Sequence, residues 1–278
     1  MVKIGYLGPK GTFSQEATLR YIDGRKIENF ELYEYNGISD LIFAVQNKEV
    51  DEGVAPMENS LEGAINVTLD MLASDVNLLI KDEVVISIVQ NLLVRKGTDP
   101  EKIRCIVSHP QPIGQCRKFI GSRYPNAHIK YVYSTAGAAE EVAQCDGSMA
   151  AIGSSIAAKV YGLDILDKCV QDSDNNLTRF AVIAHNDSCK TGNDKTSIVF
   201  STEDKPGSLY RILDIFNLWD INMTRIESRP AKNELGKYIF FIDILGHRDD
   251  EDLKDALTMV KRKSSFYKFL GSYPIFTV

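Results

Sequence analysis

A hydroxyl, a guanidinium and an aromatic ring stand in a row at Thr178-Arg179-Phe180, directly after the turn that carries Asn175 and Asn176. Those groups can grip a small, ring-shaped anion. Arginine offers a permanent charge with a fork matched to a carboxylate, threonine a hydrogen-bond donor, and phenylalanine an apolar wall. A Thr-Arg-Phe run is commoner in an ordinary edge strand than in a site, so its weight comes from four further polar clusters. These are Gly8-Pro9-Lys10-Gly11-Thr12-Phe13-Ser14, Pro56-Met57-Glu58-Asn59-Ser60, Ser108-His109-Pro110-Gln111-Pro112 and Ile226-Glu227-Ser228-Arg229-Pro230. Each falls at an expected strand end or helix start, where function concentrates.

The elements that would hold these clusters form an α/β pattern. Up to about residue 188, short apolar strands alternate with amphipathic helices: strands at 4–7, 53–56, 84–94, 105–108, 129–133 and 149–152, and helices over 14–21, 63–72, from about 111, over 135–145 and from about 154. Two α/β lobes fit this order, about 1–83 with 164–188 and 84–163, the long β-rich run at 84–94 being the candidate crossing. The polar stretch 185–194 reads as a linker. Beyond it, strand 195–202, helix 206–219, strands 221–228 and 237–245, helix 250–261 and strand 266–275 spell βαββαβ, the ferredoxin-like order. Leu209, Ile212, Leu213, Phe216 and Trp219 recur at helical spacing as a core stripe, with Pro206 in the first turn.

Composition narrows the function. With 278 residues, two domains are the better expectation, and 44% hydrophobic with 25% charged residues is globular. A formal net charge of -6 argues against a broad nucleic-acid or membrane footprint, yet permits a local site for an anionic small molecule. No apolar run suits a signal peptide or a membrane span. The five cysteines lack C-x-x-C spacing and read as reduced thiols in the cytoplasm, and the scattered histidines offer no metal-ligand pair. Gly5, Gly8 and Gly11 have the wrong spacing for a dinucleotide loop.

Each candidate also has a plain structural reading. Thr12 or Ser14 can cap the first helix, Asn59 and Ser60 another, and Arg179 can pair with a nearby acid. Phe180 can be core beneath the site, His109 is more readily structural than an acid, and Glu227 with Arg229 can be a surface ion pair.

The five clusters, in this order and on this domain plan, resemble prephenate dehydratase with a C-terminal ACT regulatory domain. The likeness covers nearly the whole chain and is carried most strongly by Thr178-Arg179-Phe180 after Tyr161-Gly162-Leu163 and Asp172, and by Met223-Thr224-Arg225-Ile226-Glu227-Ser228-Arg229-Pro230. Ala181 is smaller than the residue usual there, and Ser208 stands where the effector loop commonly has Ala. With no chorismate mutase helix ahead of Met1, the chain resembles the monofunctional type.

The resemblance implies a two-lobed catalytic domain over 1–188, similar to type II periplasmic binding proteins, and an ACT domain over 195–278. It implies a cofactor-free conversion of prephenate to phenylpyruvate. Thr178, Arg179, Ser60 and Asn59 would be catalytic, Thr178 as donor to the leaving hydroxyl. Thr12, Phe13, Ser14, Glu58, Gln111, Ser154 and Phe180 would bind substrate, with several helix starts giving the cleft a positive field. L-phenylalanine would bind at Gly207, Ser208 and Leu209 and at Glu227, Ser228, Arg229 and Pro230, with Asn222 a weaker addition. A homodimer or homotetramer is implied. An arogenate dehydratase and a non-enzymatic binding protein on the same scaffold remain as alternatives.

Overall fold

A computed structural model describes residues 1–231 and 237–276. The first stretch runs β1 (Val2–Leu7), α1 (Phe13–Gly24), β2 (Phe30–Tyr35), α2 (Ile38–Gln46), β3 (Glu52–Asn59), β4 (Gly63–Ala64), α3 (Asn66–Asp70) and, after a π-turn over Met71–Asp75, β5 (Leu79–Ser87). Next come β6 (Asn91–Val94), β7 (Cys105–Ser108), α4 (Pro110–Gln115), α5 (Arg117–Arg123), β8 (His128–Tyr131), α6 (Thr135–Gln144), β9 (Met149–Gly153), α7 (Ser155–Tyr161), β10 (Asp164–Asp167) and β11 (Leu177–Ala184). The tail holds β12 (Asp194–Ser201), α8 (Ser208–Leu218), β13 (Met223–Pro230), β14 (Tyr238–Leu245), α9 (Glu251–Lys263) and β15 (Phe266–Pro274).

Three sheets result. The first has the order β2-β1-β3-β11-β5 with β4 paired to β3, the second β10-β6-β9-β7-β8, and the third β13-β14-β12-β15. The expected mixed α/β plan and βαββαβ tail are therefore observed. β11, the strand of Thr178-Arg179-Phe180, is interior to its sheet and not an edge. Its Phe180 to Ala184 are all buried, because covered sheet faces demand continuous apolar runs.

The candidate crossing at 84–94 is not one strand. β5 belongs to the first sheet and β6 to the second, with a break over 88–90, where the buried Gln90 takes its backbone N–H to Gln171 Oε1 at 3.0 Å. The return also comes later than expected: Gly162, at φ 67, turns the chain back so that β10 pairs antiparallel with β6. The helix expected over 63–72 shortens, since Gly63, at φ 84, lets Gly63 and Ala64 pair with Asn59 and Glu58 first. Pro206 lies outside its helix, because Gly207 takes the cap position at φ 78.

By contact, the chain forms two units: Met1–Leu41, Val54–Ile65 and Val84–Phe180, and Ile42–Gly53, Asn66–Glu83 and Ala181–Val278. In the first, one core gathers Leu92, Ile106, Ile113, Ile120 and Ile152. The second has its own core, in which Ile212, Ile215 and Phe216 of α8 meet Leu253, Ala256 and Val260 of α9 over Ile198 and Phe200. Among the described residues no helix is long and apolar enough to cross a membrane.

Candidate active site

The first unit contains a cavity of about 370 Å³ where strand ends and helix starts converge. Leu7 closes β1, Asn59 closes β3, and Thr178 and Phe180 open β11. Three helix starts join them: Thr12 and Phe13 at α1, His109 and Gln111 at α4, and Ser134 and Thr135 at α6. No Asp, Glu, Lys or Arg is among the described residues that line it. Its polarity comes from hydroxyls, carboxamides and the amide-rich ends of helices, which favour an anion without a formal positive charge.

Asn59 organises the wall. Its Oδ1 accepts from the backbone N–H of Leu61 and Glu62, each at 2.9 Å, which fixes the carboxamide orientation. Its Nδ2 then donates to Asn176 Oδ1 at 2.7 Å and to Thr178 Oγ1 at 2.8 Å. Asn59 is 7% and Thr178 8% exposed, so these bonds form out of bulk water, where they are stronger. Thr178 Oγ1 accepts from Asn59, and its own proton has no partner among the described contacts. A hydroxyl that accepts on one side is a better donor on the other, and this one lines the cavity.

The other candidates divide. Thr12 lines the cavity and is also the cap of α1, accepting from Gln15 N at 3.3 Å and donating to Leu7 O at 3.0 Å. Phe13, Ser14, Gln111 and Phe180 line it as well, Phe180 as fully buried core. His109 caps α4 through Nδ1, which accepts from Gln111 N at 3.4 Å. That leaves Nε2 as the protonated nitrogen of the neutral ring.

Ser60, Ser154, Glu58 and Arg179 are not among the lining residues. Ser60 ties strand ends together, donating to Asn175 O at 2.7 Å and accepting from Leu177 N at 2.9 Å. Ser154 caps α7, accepting from Ala157 N, and donates to Gly11 O at 2.8 Å; with Tyr161 donating to Lys10 O, it fixes the turn before α1. Gly11 is needed there, since at φ +87 an added Cβ would lie 3.1 Å from Ala157 Cα. Arg179 is directed away from Thr178 and Phe180 by strand alternation and meets Glu58 at 3.6 Å, its side chain 11% exposed.

The cavity also takes in residues that the sequence did not single out, notably Gln90, Gln115, Tyr133 and Ser134. Ser134 was legible as a helix cap, and it accepts from Gly137 N at 2.9 Å. Gln115 lies four residues after Gln111 on one short helix, the spacing of a shared face. Gln90 and Tyr133 carried no local signal. Among the described residues, no group of His, Cys, Asp and Glu could hold a metal ion.

In the second unit, a cavity of about 300 Å³ is lined by Gly207, Ser208 and Leu209 together with Glu203, Lys205 and Lys237 among others. Lys205 pairs with Glu203 at 2.6 Å and holds that carboxyl below the usual range. Ser208 Oγ accepts from Arg211 at 3.0 Å. Asn222, Glu227, Ser228, Arg229 and Pro230 are not among its lining residues. Arg229 instead forks onto Asp70, Nε to Oδ1 at 2.7 Å and Nη2 to Oδ2 at 3.2 Å, and also donates to Asn66.

Two α/β layers around a donor-lined cavity, followed by a βαββαβ tail with a cavity of its own, are the plan of an enzyme with an appended ferredoxin-like domain. The prephenate dehydratase family matches residues 4–188, and the ACT domain matches residues 196–258. A prephenate dehydratase of Methanocaldococcus jannaschii is 42% identical over 278 residues, covering 98% of this chain and 97% of that one. The crystal structure of the Arthrobacter aurescens prephenate dehydratase in complex with L-Phe superposes with a TM-score of 0.89 at 34% identity, over 99% of this chain and 90% of that one. GqqA, described as a novel type of quorum quenching acylase, superposes at 0.85 with 27% identity over 99% and 98%. The chain belongs to the prephenate dehydratase family of enzymes and carries an ACT domain as its tail.

Proposed function

We propose that the chain converts prephenate to phenylpyruvate, carbon dioxide and water through its 1–188 region, under allosteric control by L-phenylalanine at its 195–278 region. Prephenate is a ring dianion whose C1 carboxylate and C4 hydroxyl leave together. The C1–carboxylate bond supplies the electron pair that aromatises the ring, and the C4–oxygen bond breaks as that oxygen takes a proton. Aromatisation drives the reaction, so the protein has to orient the ring and stabilise the departing oxygen. The chemistry calls for no metal or organic cofactor.

The observation that carries this reading is the bond from Asn59 Nδ2 to Thr178 Oγ1 at 2.8 Å, which leaves the threonine proton available to the leaving oxygen. Helix starts at Thr12–Phe13 and Ser134–Thr135 supply amides for the carboxylates, and Phe13, Ile88 and Phe180 flank the ring. Arg179 contributes positive potential from behind β11 without touching the ligand.

The effector reading rests on the tail cavity, where Gly207 to Leu209 open α8 beside both acidic and basic side chains. An amino acid zwitterion needs both signs. The L-Phe complex of the Arthrobacter relative supports phenylalanine as that ligand. The enzyme then acts as a cytoplasmic homodimer or homotetramer.

The test is incubation with prephenate and, separately, with arogenate, each with and without phenylalanine. Phenylpyruvate formed from prephenate at a rate altered by phenylalanine is the expected result. Preferred turnover of arogenate selects the amino analogue as substrate, and turnover of neither returns a binding protein.

A further inference from the structure

The Arg229 guanidinium is committed inside its own unit. Arg229 lies one residue before the end of the edge strand β13 of the tail, where it pairs in register with Ile239 of β14. Its fork grips both oxygens of Asp70 on α3, and its third nitrogen reaches Asn66 on the same helix. Both side chains of the ion pair are mostly buried, 17% and 18% exposed, which favours a held geometry over a fluctuating surface pair.

Further ties run from the tail to the same stretch, Asn66–Glu83. Lys268 Nζ donates to Val76 O at 2.6 Å beyond the π-turn, and Lys195 pairs with buried Glu83 at 2.9 Å. Gly271 admits the closest approach, since an added Cβ would lie 2.2 Å from Ile80 O. Asn66–Glu83 thus packs with the tail, although it falls within the residues 4–188 matched by the dehydratase family. Its chain ends lead to the cavity. Asn59 precedes α3 through β4, and β5 continues into Ile88 and Gln90, all three of them lining residues.

We propose that Asn66–Glu83 is the element through which the tail reports its ligand state to the cavity, with the Arg229–Asp70 pair as its first joint. Arg229 then acts as a positioning residue through Asp70 and is not a ligand of the effector. This role rests on phenylalanine being the effector, as proposed above. A ligand that alters the pose of β13 pulls on α3, and α3 is joined by chain to the turn whose amides fix Asn59.

The experiment separates binding from response in the full-length protein, by calorimetry with phenylalanine and by prephenate turnover. Asp70→Asn preserves shape and removes the charge. Its expected behaviour is phenylalanine affinity within about threefold of wild type, effector-free turnover within about twofold, and a turnover response to phenylalanine reduced at least about fivefold. The charge-reversed pair Asp70→Arg with Arg229→Asp is expected to regain part of the response. Asn66→Ala, which removes one bond to Arg229, is expected to show a smaller loss and serves if Asp70→Asn melts early. A variant that binds and responds like wild type overturns the joint, and so does one that loses phenylalanine binding, because the pair would then build the effector pocket. Wild-type protein that binds no phenylalanine sinks the effector reading itself, a failure visible before any variant is made.

Discussion

The two cavities differ in the charge of their linings. The cavity of the first unit is lined by hydroxyls, carboxamides and helix starts, with no Asp, Glu, Lys or Arg among its described residues. The tail cavity sets Glu203 and Asp204 against Lys205 and Lys237 around the start of one helix. Neutral donors can follow a negative charge as it moves from carboxylate to leaving oxygen, whereas a fixed cation would hold it at the start. A zwitterion that only binds and leaves suits fixed charges of both signs. Arginine makes the same contrast. Arg179 and Arg229 both stand in motifs that suggest anion binding, and both are paired with a carboxylate, Glu58 and Asp70 respectively.

The largest effect that would break this contrast is at Thr178. Thr178→Ala is expected to lower kcat by about 10²-fold to 10⁴-fold, with the melting temperature little changed; full turnover would remove the hydroxyl from the chemistry. Gly271→Ala tests the tail's close approach to Ile80. At φ +137 and with a 2.2 Å clash it should cost about 2 kcal/mol or more in a denaturant melt, and an unchanged midpoint would show that the contact gives way.

Arg179→Met sharpens the role of neutral donors. A guanidinium outside the cavity should change KM by up to about tenfold while leaving kcat within about threefold, and a kcat collapse would put it among the reacting groups. The smallest effect concerns pH. Burial holds the Lys268 ammonium below the ordinary lysine range, with Asp75 partly opposing the shift. A lowered folded-state pKa means that the native protein sheds this proton first, so the destabilisation is full below the lowered value and is relieved as pH rises toward about 10.4. Wild type should therefore gain stability relative to Lys268→Met across that alkaline window, by chemical denaturation; a constant difference contradicts it.

Much of this was legible in the residues. The tail elements followed from amphipathic spacing, and Ile212 and Phe216 lie in the core as the stripe required. Thr12, Asn59, Gln111, Thr178 and Phe180 do converge on one cavity. Strand alternation could have placed Arg179 opposite Thr178 and Phe180 from the triplet alone, since i and i+2 share a face and i+1 does not. The seat of Arg229 on Asp70 was not legible, because it joins positions 159 residues apart with no local pattern. Nor was the break at Gln90, where the β-rich run over 84–94 has no Gly or Pro to mark a turn.

If Asn59 acts through Thr178, the two residues are coupled in kcat with prephenate, which a double-mutant cycle measures. Asn59→Ala alone should slow turnover by about tenfold or more, as the loss of a buried hydrogen bond to the reacting hydroxyl requires. In the Thr178→Ala background the same change should have almost no further effect on kcat. Additive losses would contradict the account, placing Asn59 and Thr178 in separate roles.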